Sequence, residues 1–501
     1  FFGEFHMRNI TAEEVARHNH EDDCWIIVDG SVYDVTKFLH EHPGGKRVLM
    51  KKAGQDATKE FHSLHAPEVL ERYNPILKIG SLPGTSNTSQ QTTSQKSFGV
   101  PIAYAEPYWY NSDMKSPYYN DSHRQFREQV RNFIETEVVP HFDEWEKNFD
   151  YPREMHQIAY KYGVFGACWP EEYGGTPPPG GFDMFHDLVF WDELARCGGG
   201  WLAACFLTIN IALPPILAVG SDFLKNKVAR PCIEGKKIIC LCITEPYAGS
   251  DVANIRTTAR REGNRFIVNG EKKFITSGMK ADFFTVAVRT GGEGMNGISL
   301  LLLERGMKGI SCRKLETQGW ASSNTAYITF DDVEVPVENL IGQENQGFLA
   351  IMLNFNHERF AGIVMGVRGA RMCIEEAVKY ARVRKTFNKR LIDHQVIRHK
   401  IAEMARRVES TQAWLEQAAY QMNNNVDPRI IGGTMALMKV QTTQVLEYCA
   451  REASQILGGV SCIRGGIGAK VERIYRDVRI AAIGGGSEEV LRDLAMRQAR
   501  L

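Results

Sequence analysis

The chain has 501 residues, 43% of them hydrophobic and 24% charged, an ordinary globular balance in a length too great for a single core. Lys and Arg together number 60, as do Asp and Glu, which removes any global field that would recruit nucleic acid or an anionic membrane. No run reaches the roughly 18 to 20 uninterrupted apolar residues of a membrane span. The eleven cysteines are dispersed from Cys24 to Cys462, which fits a reducing compartment better than a disulfide framework. Cys240 and Cys242 are the close pair, and a Cys-x-Cys on a strand points both thiols one way without making a zinc knuckle.

Residues 1–83 read as one compact unit, rich in histidine and short alternating runs. The strand-like WIIVDGSVYDVTKFL leads into His42-Pro43-Gly44-Gly45, whose Pro-Gly-Gly permits a sharp turn that presents the imidazole from a loop. A helical excursion, GKRVLMKKAGQDATKEFHSLH, then returns a second imidazole; His65 fits that place, with His62 one turn earlier as its neighbour. Two imidazoles on opposite faces of a haem would hold its iron in a low-spin, electron-transfer state. WIIVDGSVYDVTKFLHEHPGG followed by AGQDATKEF and its histidines resembles the cytochrome b5 family over residues 7–83. That resemblance implies a small α+β domain carrying haem b, with His42 and His65 as the axial ligands of the metal.

Residues 85–98, TSNTSQQTTSQKSF, have almost nothing to bury and read as a flexible tether inside a linker at 84–104. Beyond it come three textures: helical patterning over 105–234, as in HRQFREQVRNFIETEVVPHF, then short strands over 235–345, then long helices over 346–501. Glycine pairs or triplets at 432–433, 458–459, 465–466 and 484–486 read as joints between those last helices.

Five motifs punctuate this region. Ile243-Thr244-Glu245-Pro246-Tyr247-Ala248-Gly249-Ser250-Asp251 leaves a strand into a turn of hydroxyls and small residues, able to approach a planar heterocycle or a phosphate. Lys272-Lys273-Phe274-Ile275-Thr276-Ser277-Gly278 sets an aromatic beside a hydroxyl at a strand end. Arg384-Lys385-Thr386-Phe387 with Gln395, Gln455-Ile456-Leu457-Gly458-Gly459 and Tyr475-Arg476-Asp477 follow. In this order and spacing they resemble the acyl-CoA dehydrogenase family over about residues 115–500. The resemblance implies an N-terminal helical domain, a middle β-domain and a C-terminal four-helix bundle, with FAD between the last two and partly against a neighbouring subunit. It implies that Thr244 and Thr276 bond the isoalloxazine, that Phe274 packs on it where the family usually has Trp, and that Ser250 lies near the CoA. Arg384 takes the place of the arginine on the FAD pyrophosphate, suited by its guanidinium fork. Phe387, Gln395, Gln455, Gly458, Gly459, Ser487 and Glu489 complete the implied cofactor set.

The family's chemistry removes an α-proton with a carboxylate while a hydride leaves the β-carbon for the flavin, which asks for a desolvated acid and oriented donors at the thioester oxygen. The family's usual base is a Glu in a C-terminal loop, and that position is Gly485 in Ile483-Gly484-Gly485-Gly486-Ser487-Glu488-Glu489. Isovaleryl- and long-chain-type members take the Glu from a bundle helix instead, and Asn356-His357-Glu358-Arg359 stands there in this chain. Glu358 is accordingly assigned as the base, with Glu488 as the alternative. The Gly485 amide serves the thioester carbonyl, Arg359 and Asn356 serve CoA, and His357, next to the base, is assigned to packing, with tuning of the base as the alternative.

The fusion suggests that FADH2 is reoxidised through the tethered haem, which passes electrons to an unidentified downstream acceptor. The opposite flow, from haem to flavin for oxygen chemistry, and a non-catalytic acyl-CoA-binding scaffold are the alternatives. The family implies a homodimer or homotetramer. The tripeptide Ala499-Arg500-Leu501 is a conservative variant of the peroxisomal address, with the mitochondrion as the alternative location. Gly198–Ile216 reads as either the lining of an acyl-tail pocket or core.

Overall fold

A computed structural model describes residues 8–42, 44–65, 68–83, 102–110, 114–352 and 354–500. The tether at 85–98, Pro43 of the histidine turn and Leu501 of the C-terminal tripeptide lie outside the described residues.

In the first unit a five-stranded sheet runs in the order Arg8–Asn9, Lys78–Ser81, Ser31–Asp34, Asp23–Val28, Asn19–His20. Its central hairpin turns on Asp29 and Gly30, both at positive φ (49° and 73°), which suits the right-handed twist of the paired strands. Strand alternation sends Ile27 and Val32 to one face, while Cys24, Ile26, Val28 and Tyr33 face the other. On that second face, Leu39 and Phe61 join the cluster from segments that also carry the two histidines.

The helical region after residue 120 opens with helices Asp121–Phe133 and Met184–Leu194, each started by a capping box whose third residue is histidine (Asn120 with His123, Asp183 with His186). Among the described residues one helical run, Gly199–Val219, is long and apolar enough to cross a membrane. It is largely buried in protein, and of the two readings open for Gly198–Ile216, core describes it: Trp201, Cys205, Phe206 and Ile216 all join the main hydrophobic cluster. Its π-turn at Ala203–Leu207 leaves the Ala204 carbonyl to accept from both Thr208 Oγ1 (2.7 Å) and Ser277 Oγ (2.8 Å), tying it to the β-domain.

The middle domain is an eight-stranded sheet ordered Ile310–Lys314, Ala326–Pro336, Arg265–Ile275, Thr258–Glu262, Phe283–Arg289, Ile298–Glu304, Leu340–Ile341, with Ile239–Cys242 added parallel to Phe283–Arg289. The run ISLLLLE lacks alternation because both faces are covered: Leu300 and Leu302 enter the helical core, Leu301 and Leu303 the β-domain's own. Cys240 and Cys242 point to one side, their sulfurs 3.9 Å apart and buried.

Helices Phe355–Val383, Gln395–Asn423, Pro428–Leu457 and Ala469–Ile483 form the bundle, and Glu488–Gln498 packs along the third. The expected joint at Gly432-Gly433 is absent: both glycines lie inside the Pro428–Leu457 helix. A Cβ on Gly432 would come within 2.9 Å of the Gln498 amide, so these glycines admit the last helix rather than break their own. A buried ionic network ties bundle to helical domain. Glu193 lies 2.7 Å from Arg131 through both oxygens and 2.6 Å from Arg127, while Arg368 joins Asp192 and Glu106.

Candidate functional site

In the first unit His42 and His65 face each other, ring centroids 5.8 Å apart. Two metal–imidazole bonds of about 2 Å each, with the ring radii, fill a gap of that size. His65 Nδ1 lies 3.2 Å from the Phe61 carbonyl, which fixes the proton there and leaves Nε2 as a ligand. Burial pulls the His65 pKa down, so the lone pair is available at neutral pH. His42 Nδ1 is buried without a partner among the described residues, and a Cβ on Gly44 would meet its ring at 2.9 Å, which accounts for the glycine. His62 is engaged elsewhere, its Nε2 2.8 Å from Asp29. The pair and its apolar surround fit a haem.

Two of the motifs assigned to FAD meet in the β-domain. Lys273 N donates to the Thr244 carbonyl at 2.8 Å, which brings the two hydroxyl-bearing turns side by side with Thr244 and Thr276 both half-buried. Beneath them Lys272 Nζ, fully buried, donates to the Ile243 carbonyl and to Glu245, both at 2.8 Å. Glu245 in turn accepts from the Thr257 amide at 2.9 Å, so a closed buried ion pair sets the turn. Phe274 is the extra residue of a β-bulge opposite Tyr327, at φ 63°, which turns its ring outward to 59% exposure. Ser250 is exposed in the adjoining turn.

The bundle supplies the other assigned groups. Arg384 ends the helix Phe355–Val383, and a tight hairpin pairs Lys385–Thr386 with Lys389–Arg390. Its two tip residues, Phe387 and Asn388, sit at φ 48° and 62°, and the Phe387 ring is 89% exposed. Such a conformation is costly for a phenylalanine, and the two-residue turn imposes it, holding the ring away from the protein. Gln395 begins the next helix, exposed; Gln455, Gly458 and Gly459 are exposed at the end of another, with open space where each glycine's Cβ would be. Ser487 caps the last helix and Glu489 lies exposed in its first turn. Hydroxyl donors, exposed rings and bare backbone form a set that fits a flavin nucleotide.

Glu358 lies in the first turn of the Phe355–Val383 helix, and a Cβ built on Gly485 (φ 70°) would stand 3.9 Å from its Oε1. The two alternative seats for a base therefore open on one space, and one is empty of side chain where the other holds a carboxylate. Burial pushes the Glu358 pKa up against the pull of Arg359, Lys439 and His357. Among the described residues no hydrogen bond or ion pair engages its carboxylate. Glu488, the alternative base, is committed to Thr443 and Gln444.

A cavity of about 860 Å3 adjoins the base, lined among others by Phe355, Asn356, Arg359, Leu349 and Gly432. Arg359 Nε is buried without a partner among the described residues. Asn356 reaches that cavity, but its amide donates to the Pro428 carbonyl at 2.8 Å and so also braces two helices. His357 is not simply packed, as the sequence suggested: its Nε2 lies 2.8 Å from Asp187, whose carboxylate holds the ring's pKa up against burial. Sequence reasoning also passed over Lys439, whose Nζ donates to the Ala482 and Gly486 carbonyls at 2.8 and 2.9 Å. A lysine among apolar neighbours (ALMKV) was the one available signal.

Family models match residues 11–83 as a cytochrome b5-like heme/steroid binding domain and residues 120–236, 240–333 and 345–499 as the N-terminal, middle and C-terminal domains of acyl-CoA dehydrogenases. The chain belongs to the acyl-CoA dehydrogenase family and carries a cytochrome b5-like domain ahead of it. The acyl-CoA dehydrogenase AFT10-1 of Alternaria alternata is 41% identical over 80% of this chain and 96% of its own length. The mitochondrial long-chain specific acyl-CoA dehydrogenase of Mus musculus is 33% identical over 76% and 87%. The crystal structure of acyl-CoA dehydrogenase from Geobacillus kaustophilus aligns with a TM-score of 0.73 at 31% identity, covering 77% of this chain and all of that one. The protein is thus an oxidoreductase of the acyl-CoA dehydrogenase class, binding FAD in its larger part and haem in the smaller.

Proposed function

We propose that the protein catalyses α,β-dehydrogenation of an acyl-CoA thioester with Glu358 as the base, and that the electrons pass on to the fused haem domain. The observation that carries the first half is the Glu358 carboxylate, desolvated and unpaired among the described residues, facing the bare Gly485. Bound FAD supplies the acceptor for the β-hydride, and bound haem supplies a one-electron carrier.

Glu358 takes the α-proton at its carboxylate, and burial makes it basic enough to do so. The Gly485 amide, with no side chain in the way, donates to the thioester carbonyl as charge develops there. Arg359, whose Nη1 donates to Asn356 Oδ1 at 3.4 Å, lines the adjoining cavity with Asn356 and serves CoA there. Ser250 contributes from the β-domain turn. Thr244, Thr276 and Phe274 orient the flavin ring, while Arg384, Phe387, Gln395, Gln455, Gly458, Gly459, Ser487 and Glu489 hold the rest of the nucleotide. Several of these are so exposed that a second copy of the chain is needed to enclose the cofactor, which supports an assembly of at least two subunits. In the smaller unit His42 and His65 would hold the haem iron.

Anaerobic stopped-flow mixing with a panel of acyl-CoAs, recording flavin and haem absorbance together, tests the whole reading. Flavin bleaching followed by haem reduction is the expected outcome. Bleaching with haem left oxidised sinks the relay, and no bleaching with any acyl-CoA sinks the dehydrogenase.

A further inference from the structure

The glycines at 484–486 have no side chains with which to anchor themselves, and Gly485 and Gly486 adopt φ of 70° and 108°. Such a loop loses a great deal of conformational freedom on folding, so an outside group must hold it if its amides are to point one way. Lys439 is that group. It lies on the Pro428–Leu457 helix with 4% exposure, and its Nζ grips the Ala482 and Gly486 carbonyls, one on each side of Gly484-Gly485.

We propose that Lys439 is a positioning residue that aims the Gly485 amide at the thioester carbonyl and, by gripping the loop that faces Glu358, brings a cation to that side of the site. The inference rests on the roles given above to Glu358 and Gly485. Two neutral carbonyls alone do not explain a buried ammonium, whose desolvation is expensive without a counter-charge. The charged groups that face it are Glu358 and Arg359 on the Phe355–Val383 helix and Glu488 on the last helix. Glu488, though shared with Thr443, Gln444 and Arg492, is the stronger counter-charge, and Glu358 adds a weaker attraction from a carboxylate with no other partner among the described residues. Burial pulls the Lys439 pKa down to about 8, and the residue is still charged at neutral pH. Its cation favours the ionised form of Glu358, which is the form that accepts a proton, and so works against the rise that burial imposes.

The test compares K439M, K439R and E358Q with the wild-type holoenzyme by two readouts. One is hydrogen–deuterium exchange across residues 480–491; the other is anaerobic flavin reduction against pH, using the acyl-CoA of the butyryl-to-palmitoyl series that reduces wild type fastest. In K439M the loop amides are expected to exchange tenfold faster or more. Reduction is expected to slow by about ten- to a hundredfold at saturation while acyl-CoA affinity stays within threefold. The acid limb of the rate profile should rise, by up to about one pH unit, because loss of the Lys439 charge removes one of the pulls that lower the Glu358 pKa. K439R keeps the charge with altered reach, so it should keep the limb and lose part of the rate. If K439M folds poorly, this split in K439R carries the test.

Unchanged loop exchange in K439M overturns the proposal whatever the kinetics. E358Q abolishing reduction while K439M matches wild type overturns it and leaves the dehydrogenase reading standing. Wild type failing to bleach with every acyl-CoA, while K439M loosens the loop, upholds the anchoring role and overturns the dehydrogenase reading instead.

Discussion

Two carboxylates withdrawn from water in the same protein, the fully buried Glu193 and the half-buried Glu358, are treated in opposite ways. Burial alone would push the Glu193 pKa up, but Arg127 and Arg131 hold it well down, and its oxygens are fully used. Glu358, half-buried, is also desolvated, with charges nearby but none in contact, and its pKa rises. A paired buried carboxylate ties elements together and is chemically inert. An unpaired one costs stability and stays ready to take a proton. The smaller unit repeats the contrast with imidazoles, since His62 is bound to Asp29 while His42 is left without a partner among the described residues.

The sharpest way to break this comparison is Glu358→Gln, which should slow flavin reduction by about 10^2- to 10^4-fold while FAD stays bound. A loss below tenfold in stopped flow would return the base role to another group. Glu193→Gln should instead leave the guanidiniums of Arg127 and Arg131 partly uncompensated and destabilise the flavoprotein part by about 3–5 kcal/mol, read from denaturant unfolding. A change below about 1 kcal/mol would show that the network is dispensable.

The two acids should also separate by pH. As the proposed base Glu358 acts ionised, and its pKa is raised, so the reduction rate should fall tenfold per pH unit below a limb lying above the ordinary glutamate value of about 4.3. Glu193, with its pKa depressed, contributes stability that is complete above the unfolded value and lost as pH falls through the lower folded one. For Glu358 the sign reverses: ionising it opposes folding above its raised pKa, so Glu358→Gln should raise the melting temperature at pH 7 by about 2–4 °C. Smallest of all, His62→Ala should keep the haem Soret band and cost at most about 1 kcal/mol. Loss of the band would make His62 a ligand after all.

Much of the fold was legible because its signals are local. The helix–strand–helix textures, the His-Pro-Gly-Gly turn and the ordered motifs are each contained in short stretches, and the fold class follows from their order. The exchange between Glu358 and Gly485 was legible as a pair of departures from one pattern, and the backbone sets these positions face to face. Partners far apart in sequence were not legible. Arg131 and Glu193 are separated by 62 residues, His357 and Asp187 by 170, and Arg368 and Glu106 by 262. Gly432-Gly433 was misread because a glycine that breaks a helix and one that admits a neighbouring helix look the same in a sequence.

Phe387 carries a consequence for supply in the living cell. On the proposed FAD site, a ring with 89% of its surface in water on a strained hairpin tip becomes tolerable once nucleotide and a second copy cover it. A freshly made chain starved of riboflavin would present that ring uncovered and stick to its fellows. Mass action then ties the amount of soluble protein to the vitamin available when it is synthesised.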